Sequence, residues 1–446
     1  MPQTIKAAAA LGSHSPRKAT MTLQELTTPR CPFRLDPLAP DLHGENELLR
    51  DMGPAARIEL PGGVLATSVT SQGLAKRLMM DDRVSKDPRR HWPAYNSGGV
   101  PVHWPFRIWV DIRNALSTYG EEHARLRQLI APAFSPRRVR QLLPGIESIV
   151  DRRLDDLEAR AESTVDLRRD FAWLIPLQVV NLMLGIPEDL EETFRHLVGA
   201  NMSTHHTPEE AAANGRAYYE LLDSLVETKR RSPGDDITTH LVGLHDQGAV
   251  SRKELVDSLM LLVGAGHETT MNALDQACVN LLSHPAQLAL VQSGQVSWDA
   301  AIDETLRHQS PVANILLRFA VETIHDAETG TTIEQGEAIV INLAAAGRDP
   351  LLHQRPADFD VTRAERRQHI AFGHGPHYCL GAELARLELR TALERLFRRF
   401  PSMTLAVAAA DLKPLPSFIS NGHQTIPVLR AKKVPVPLHR RAEQPA

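Results

Sequence analysis

The stretch FGHGPHYCLG, from Phe372 to Gly381, sets a single cysteine, Cys379, among glycines and histidines, immediately before a segment of helical periodicity. Such a loop could hold zinc, because His374, His377 and Cys379 would supply three of the four ligands of a structural site. No fourth ligand with suitable spacing accompanies them. A nucleophilic thiol is another possibility, and it would need a base and an orienting partner elsewhere. The loop alone leaves the role of its thiol open.

The glycines of this loop, Gly373, Gly375 and Gly381, favour a different ligand. Because glycine has no side chain, a bound group can approach the backbone closely. A large flat ligand therefore suits the loop better than a small ion. Haem is such a ligand, and a cysteine thiolate can bind its iron. The sulfur then pushes electron density towards the iron and favours O–O cleavage. Backbone N–H groups at the start of the following helix would stabilise the negative charge of the sulfur.

The loop resembles, position by position, the cysteine-ligand loop Phe-Gly-x-Gly-x-His-x-Cys-x-Gly of the cytochrome P450 family. The resemblance implies that Cys379 is the axial metal ligand of haem b, iron protoporphyrin IX. It also implies that Phe372 packs near the sulfur and that His377 faces a haem propionate. The glycines expected to admit the haem edge and the following helix are Gly373, Gly375 and Gly381.

Composition describes an ordinary globular chain, with 446 residues of which 42% are hydrophobic and 23% charged. A net charge of -4 gives no pull towards nucleic acid or an anionic membrane. The cysteines Cys31, Cys278 and Cys379 are odd in number and far apart, which argues against a disulfide framework and fits a reducing cytoplasm. The apolar stretch Phe171–Ile186 is too short to span a membrane. We therefore expect a soluble cytoplasmic protein with no nucleic-acid partner and no membrane insertion.

The chain is expected to form one large domain over residues 29–431, mainly α with a small β portion, between disordered tails at 1–28 and 432–446. A β segment with a Pro-Gly-Gly turn is predicted near 56–69 and short strands over 320–341. A last hairpin is predicted in FISNGHQTIPV, with Asn421-Gly422 as a type I′ turn. The resemblance implies the cytochrome P450 fold, with haem between the oxygen-groove helix and the helix after the cysteine loop. Helical periodicity predicts helices over 121–130, 141–157, 194–198, 217–229, 252–282, 298–308 and 380–400.

A second motif, AGHETT from Ala265 to Thr270, lies within a predicted helix. Its small residues could simply allow close helix packing. By resemblance to the family, Ala265 and Gly266 border the oxygen-binding groove. Thr269 would hydrogen-bond oxygen at the iron, and Glu268 would feed protons from solvent. An acid beside a hydroxyl suits a reaction in which protons must reach the distal oxygen.

The segment ETLR places Glu304 and Arg307 three residues apart on a predicted helix. Pairs of this kind are common on exposed helices, so the motif by itself is weak. The resemblance implies instead a buried structural network that includes Arg363. The turn AAAGRDP resembles the family's Ala-Asn-Arg-Asp-Pro turn but has Gly347 where asparagine is usual.

Three basic residues are candidates for binding the haem carboxylates. His123 and Arg127 lie four residues apart in EEHARLRQLI, and Arg318 follows the apolar run PVANILL. A solvated helix face would explain the first two equally well. The resemblance directs all three at the haem propionates, and planar guanidinium groups suit carboxylate oxygens.

The resemblance implies a haem-thiolate monooxygenase that inserts one atom of O₂ into its substrate by hydroxylation or epoxidation. No GxGxxG follows a predicted strand, so electrons from NAD(P)H are expected to arrive through a separate ferredoxin and ferredoxin reductase. We expect a monomer. Arginines that could dock an acidic ferredoxin, or could simply be solvated, are Arg125, Arg137, Arg138, Arg140, Arg386 and Arg390.

The expected substrate is a bulky hydrophobic natural product, such as a macrolide, polyketide, terpenoid or modified peptide. Oxidative phenol or aryl coupling would use the same iron chemistry. A haem-binding sensor or an isomerase of the same fold is a further alternative, which would not need the Glu268–Thr269 pair. The aromatic segment 91–109 either contacts substrate or is packed against the core. By resemblance, the pocket-lining residues are Trp104, Trp109, Leu261, Val263, Ala313, Ile315, Leu316, Phe418 and Ile419.

Overall fold

The computed structural model describes residues 31–430 apart from 103, 105 and 203–207. The tails predicted at 1–28 and 432–446 lie outside these described residues. Within them, helices form most of one domain and short strands form a smaller β portion, which confirms the predicted fold class.

Helices account for most of the structure, and none within the described ranges is both long and apolar enough to cross a lipid bilayer. The α-helices are α1 (Leu42–Asp51), α2 (Gln72–Met80), α3 (Pro88–His91), α4 (Pro93–Asn96), α5 (Ile108–Asp111), α6 (Gly120–Ile130), α7 (Pro136–Ala159), α8 (Leu174–Leu184), α9 (Glu188–Met202), α10 (Pro208–Arg231), α11 (Ile237–Asp246), α12 (Arg252–Ser283), α13 (Pro285–Gln292), α14 (Trp298–His308), α15 (Leu343–Gly347) and α16 (Ala382–Arg399).

The strands form three small sheets. The strands are β1 (Phe33–Arg34), β2 (Ala55–Leu60), β3 (Val64–Val69), β4 (Val84–Ser85), β5 (Thr164–Asp166), β6 (Asn314–Ala320), β7 (Ile324–Asp326), β8 (Thr331–Ile333), β9 (Ala338–Asn342), β10 (Thr404–Leu405) and β11 (Pro427–Leu429). The largest sheet has the order β1-β2-β3-β9-β6-β4, the second β10-β11-β5, and the third is the pair β7-β8. In the largest sheet β2 and β3 form the predicted antiparallel pair, and β9 joins β3 in parallel.

Helix α12 is the central element, and it packs against α8, α10, α14 and α16. Ser251 begins it with a capping box, in which the Ser251 hydroxyl accepts from the Glu254 N–H and the Glu254 carboxylate accepts from the Ser251 N–H. Its residues from Thr270 to Leu281 are all buried. Polar side chains within such a helix need partners inside the protein, and this requirement ties α12 to neighbouring loops.

The predicted last hairpin is wrong in its turn. Neither Asn421 nor Gly422 adopts the positive φ that a type I′ turn requires. Residues 413–415 instead face 422–424, since Leu415 N donates to Gly422 O at 2.9 Å and Gln424 N to Lys413 O at 2.8 Å. Asn421 and Gly422 therefore lie at the start of the returning arm. Glycine suits this position because a Cβ on Gly422 would lie 2.7 Å from Asn272 Oδ1 of α12.

A buried ionic network joins α14 to the loop that precedes the cysteine segment. Arg307 Nε and Nη2 each donate to Glu304 at 2.8 Å, and Arg363 Nε donates to Glu304 Oε1 at 3.2 Å. Glu304 and Arg307 are both 0% exposed. Arg307 also donates to the backbone oxygens of Gly347, Pro356 and Asp358, so its guanidinium fixes loop backbone as well as pairing charge.

We expect Glu304→Gln to lower the free energy of unfolding by about 3–5 kcal/mol, because it leaves Arg307 charged and buried without its counter-ion. Urea unfolding of the purified protein measures the change. The matched control is Arg398→Gln, whose exposed side chain pairs with Glu394 at 3.7 Å and should contribute about 1 kcal/mol or less. Equal losses in the two variants would show that burial does not strengthen the network.

Candidate active site

The cysteine loop lies between α2 and α16 and is closed by a backbone hydrogen bond from Cys379 N to Phe372 O, 2.9 Å long. Gly373 and Gly375 have φ values of +74° and +72°, a region that glycine enters without steric cost. A Cβ on Gly375 would also lie 2.6 Å from Met79 O at the end of α2. These glycines therefore serve the turn, and Gly375 also its contact with α2. That they also admit the haem edge stays a prediction.

The sulfur of Cys379 lies where the following helix begins. Solvent reaches this residue, yet the surrounding protein is dense enough that burial raises the pKa of the thiol. The Gly381 N–H, which hydrogen-bonds to Cys379, and the nearby Arg127 guanidinium act in the opposite direction and lower that pKa. Arg127 Nη2 also donates to Tyr378 O at 2.6 Å. The sulfur is thus held beside a positive charge and a helix N-terminus, both of which favour a thiolate ligand.

The middle of α12 supplies a second surface. Gly264 and Ala265 are exposed although the helix is buried further along its length, and the backbone there is accessible because both side chains are small. Leu261 and Leu262 of this stretch pack against the same hydrophobic cluster as Leu380, the neighbour of Cys379. The small-residue surface of α12 and the cysteine loop therefore border one region of the molecule.

The acid and alcohol predicted on α12 each have a partner. Thr269 Oγ1 donates to Ala265 O at 2.6 Å, within the same helix. The half-buried Glu268 carboxylate accepts from Ser420 Oγ at 2.6 Å. To hydrogen-bond oxygen at the iron, the Thr269 hydroxyl would have to give up its hydrogen bond to Ala265 O. The Glu268 carboxylate is held by the loop that contains Ser420, far along the chain.

Basic side chains from four elements converge near the cysteine loop. The rings of His123 on α6 and His377 in the loop have centroids 3.9 Å apart. Arg318 on β6 is 4% exposed and Lys86, next to β4, is 5% exposed. Lys86 Nζ donates to Leu316 O over 3.4 Å, a weak contact for a buried ammonium group. With Arg127, this set contains the three residues predicted to bind the haem carboxylates. It also contains His377, which was predicted to face a propionate, and Lys86, which was not predicted.

These basic groups lack a counter-ion in the described part of the chain. Burial lowers the pKa of His123 to about 4 and that of Arg318 to about 10, and it lowers the pKa values of Lys86 and His377 strongly. No described carboxylate raises any of these four pKa values. His123 Nε2 and Arg318 Nη1 are buried without a hydrogen-bond partner among the described residues. Buried basic groups of this kind require an anion, and the carboxylates of haem fit the set.

The ring of Phe372 packs against an arginine side chain. The Arg386 guanidinium lies 5.1 Å from the centroid of its ring and also pairs with buried Asp303. Arg367 and His369 contact the same Asp303 carboxylate. Burial raises the pKa of Asp303, but the contacts with His369 and Arg386 outweigh it and lower that pKa to about 2. The Asp303 cluster thus fixes the aromatic side chain beside the cysteine.

The arginines predicted to dock a redox partner divide into two groups. Arg137 and Arg140 are exposed in the first turns of α7, with no ion pair among the described residues. Phe134, just before α7, would be 3.5 Å from a Cβ on Gly381, so this end of α7 adjoins the cysteine loop. The other four already pair with acids, as Arg125–Glu254, Arg138–Asp235, Arg386–Asp303 and Arg390–Asp299.

The residues predicted to line a substrate pocket differ in accessibility. Leu261 and Ile315 are half-buried and Trp109 is 41% exposed. Trp104 belongs to a packed aromatic cluster, where its Nε1 donates to Pro61 O at 2.8 Å, so the structure assigns it to the core. The remaining residues can shape a pocket, but their side chains are buried in the structure. They are Val263, Ala313, Leu316, Phe418 and Ile419.

Two residues of the site had not been predicted from the sequence. Lys86 lies in RVSKDP, which carries no helical or motif signal, and Ser420 lies in the segment interpreted as a hairpin. A lysine next to an alternating β segment could have been considered as a binding residue. Its burial, however, depends on the pairing of β4 with β6, and these two strands are more than two hundred residues apart in the chain. Nothing near Ser420 in sequence points to Glu268.

Comparison with known proteins gives consistent matches. The sequence model of the family described as Cytochrome P450 matches residues 298–412. The chain is 41% identical to 2-hydroxy-5-methyl-1-naphthoate 7-hydroxylase from Streptomyces carzinostaticus, over 89% of this chain and 97% of that relative. It is 34% identical to cytochrome P450 monooxygenase PikC from Streptomyces venezuelae, over 85% of this chain and 89% of that relative.

A solved structure agrees with the sequence relatives. CYP154A1 from Streptomyces coelicolor A3(2) superposes with a TM-score of 0.84 at 45% identity, and the match covers 90% of this chain and 100% of that chain. The likeness thus extends over nearly the whole length, well beyond the cysteine loop.

Proposed function

The chain belongs to the cytochrome P450 family as a haem-dependent monooxygenase, and from that premise we propose that it inserts one atom of O₂ into a bulky hydrophobic small molecule. Its relatives include a naphthoate hydroxylase, which supports a tailoring step in natural-product biosynthesis. The observation that carries the proposal is that Leu380, next to Cys379, packs against the same hydrophobic cluster as Leu261 and Leu262, which lead into the stretch of α12 with Glu268 and Thr269.

The residues of the site would have different roles in the reaction. When bound, haem supplies the iron at which O₂ is activated, with Cys379 as thiolate ligand. Lys86, His123, Arg127, Arg318 and His377 would hold its carboxylates. Glu268 would take up protons from solvent and the Thr269 hydroxyl would pass them on. In such a reaction one substrate molecule, one O₂, two electrons and two protons would give one oxygenated product and one water.

The accessible apolar side chains Leu261 and Ile315 support a hydrophobic substrate. They offer dispersion contacts and no charged anchor, so shape rather than charge would decide which carbon atom lies nearest the iron. Hydroxylation is the reaction that we propose, and epoxidation would use the same residues.

We expect Cys379→Ser to bind haem weakly and to lose the red-shifted Soret band of the reduced carbon monoxide complex, because an alcohol does not replace the thiolate. Oxygenation of substrate should be lost with the band. Difference spectroscopy of the dithionite-reduced protein under carbon monoxide measures the first effect. A retained red-shifted band in this variant would contradict the assignment of Cys379.

We also propose that Lys86 is one of the carboxylate-binding residues, and we expect Lys86→Met to speed haem loss about tenfold or more, the effect of losing one hydrogen bond to a charged group. The rate of haem transfer to excess apomyoglobin measures it without any turnover. Lys413→Met, at an exposed lysine, is the control. Haem transfer as slow in Lys86→Met as in the control would remove Lys86 from the site.

Electrons are proposed to come from an acidic ferredoxin with its NAD(P)H-dependent reductase. A groove of about 250 Å³ beside the cysteine loop is lined by Lys76, Arg367, His374 and Arg386 among others. Lys76 in this groove, and Arg137 and Arg140 at the start of α7, are basic residues without an ion pair among the described residues. Oppositely charged surfaces steer the association of two proteins and raise its rate.

The double variant Arg137→Glu/Arg140→Glu should slow reduction by a plant-type iron–sulfur ferredoxin roughly tenfold at low salt, because it reverses the charge that steers association. The rate at which the carbon monoxide complex forms after NADPH is added measures this step. Reduction by dithionite should be unchanged. The control is Arg398→Glu, in the last turns of α16, at the opposite end from the cysteine loop. Equal slowing in the control would argue against docking at the start of α7.

A further inference from the structure

The segment Phe418–Asn421 is fixed to the domain by its backbone. Ala313 N donates to Ile419 O at 2.7 Å, and Asn421 N donates to Pro311 O at 2.9 Å. The Asn421 side chain adds contacts to Gln276 on α12 and to Gln309. Ser420, in the middle of this segment, therefore has a well-defined position.

The Ser420 hydroxyl is directed at Glu268. Its Oγ donates to Glu268 Oε1 at 2.6 Å, a short hydrogen bond to a carboxylate. The Ser420 N–H is engaged separately, since it donates to Ser417 Oγ at 3.0 Å. The hydroxyl and the backbone of Ser420 thus have different tasks, and the two can be tested separately.

This contact joins two parts of the site. Glu268 precedes Thr269, while Phe418 and Ile419 precede Ser420 and pack near the predicted pocket. Phe418 O is itself fixed by Asn314 Nδ2 at 2.7 Å. A carboxylate on a half-buried helix surface has several rotamers, and a hydrogen bond from a fixed hydroxyl selects one of them.

We propose that Ser420 is a positioning residue for proton transfer: its hydroxyl holds the Glu268 carboxylate beside Thr269 and so ties proton delivery to the Phe418–Asn421 segment. This inference rests on the proposed role of Glu268. Ser420 itself touches neither the substrate nor the cofactor in this scheme, and it acts through Glu268.

The alternative is that the hydroxyl only fastens the loop to α12, and Ser417 provides the means to distinguish the two. Ser417 Oγ accepts from the N–H groups of Ile419 and Ser420, at 3.2 and 3.0 Å, and within the described residues it makes no hydrogen bond to Glu268. Ser417→Ala should loosen the loop while it leaves the Glu268 contact in place.

The experiment uses the haem-loaded full chain, with hydrogen peroxide as oxidant and guaiacol as a general electron donor. Cleavage of the peroxide O–O bond requires proton movement at the distal oxygen, so its rate and its H₂O/D₂O ratio both report on the acid. Ser420→Val and Ser420→Thr are matched in size and differ in the hydroxyl. Glu268→Gln tests the acid itself, and the reduced carbon monoxide spectrum confirms that each variant is folded and loaded.

We expect Glu268→Gln and Ser420→Val each to slow the reaction, the second by about tenfold, the effect of one charge-assisted hydrogen bond, with a changed solvent isotope ratio. Ser420→Thr should restore the rate to within about twofold and Ser417→Ala should leave the isotope ratio unchanged. If Glu268→Gln is slow while Ser420→Val matches the unaltered enzyme, or if Ser417→Ala behaves like Ser420→Val, the role of Ser420 is overturned. An unaltered rate in Glu268→Gln would instead overturn the proposed role of the acid.

Discussion

The arrangement of the site depends on a group of buried basic side chains that have no counter-ion within the described chain. Lys86, His123, Arg318 and His377 come from four separate elements, and burial lowers all four pKa values. Bringing such groups together without an anion is unfavourable. A bound cofactor with two carboxylates would make the same geometry favourable, so its binding and the docking of these elements would be thermodynamically linked.

Helix α12 meets two requirements that conflict within a single helix. Its accessible stretch needs small side chains, as at Gly264 and Ala265, whereas the later turns must pack on every side. Those later turns also carry Asn272, Asp275 and Gln276, and each of these side chains makes at least one hydrogen bond or ion pair outside the helix. Asp275 pairs with Arg168 and accepts from His423 N at 3.0 Å. The polar residues of the buried half therefore anchor the loop that contributes Ser420.

Local motifs predicted much of this molecule, because they depend on short-range spacing. The helices near 121–130, 252–282 and 298–308 lie where periodicity placed them, and the cysteine loop lies directly before a helix, as its motif predicted. The Asn421-Gly422 turn was wrong because close packing against Asn272 of α12, rather than a local turn, requires that glycine. Lys86 could not be found from its neighbours, since its burial is created by a distant strand. Local sequence patterns do not show which remote segments contact each other.

The paired arginines around the cysteine loop show why charge counting on a sequence overestimates a docking surface. Arg386 pairs with Asp303 and lies against the ring of Phe372, so part of its charge is balanced within the domain. Arg138 likewise pairs with Asp235. A steering field needs unpaired charge, because the potential of a close ion pair falls off faster with distance than that of a single charge. Of the six arginines predicted to dock a redox partner, Arg137 and Arg140 are the two that are exposed at the start of α7 and have no ion pair within the described residues, so they keep their full charge for steering.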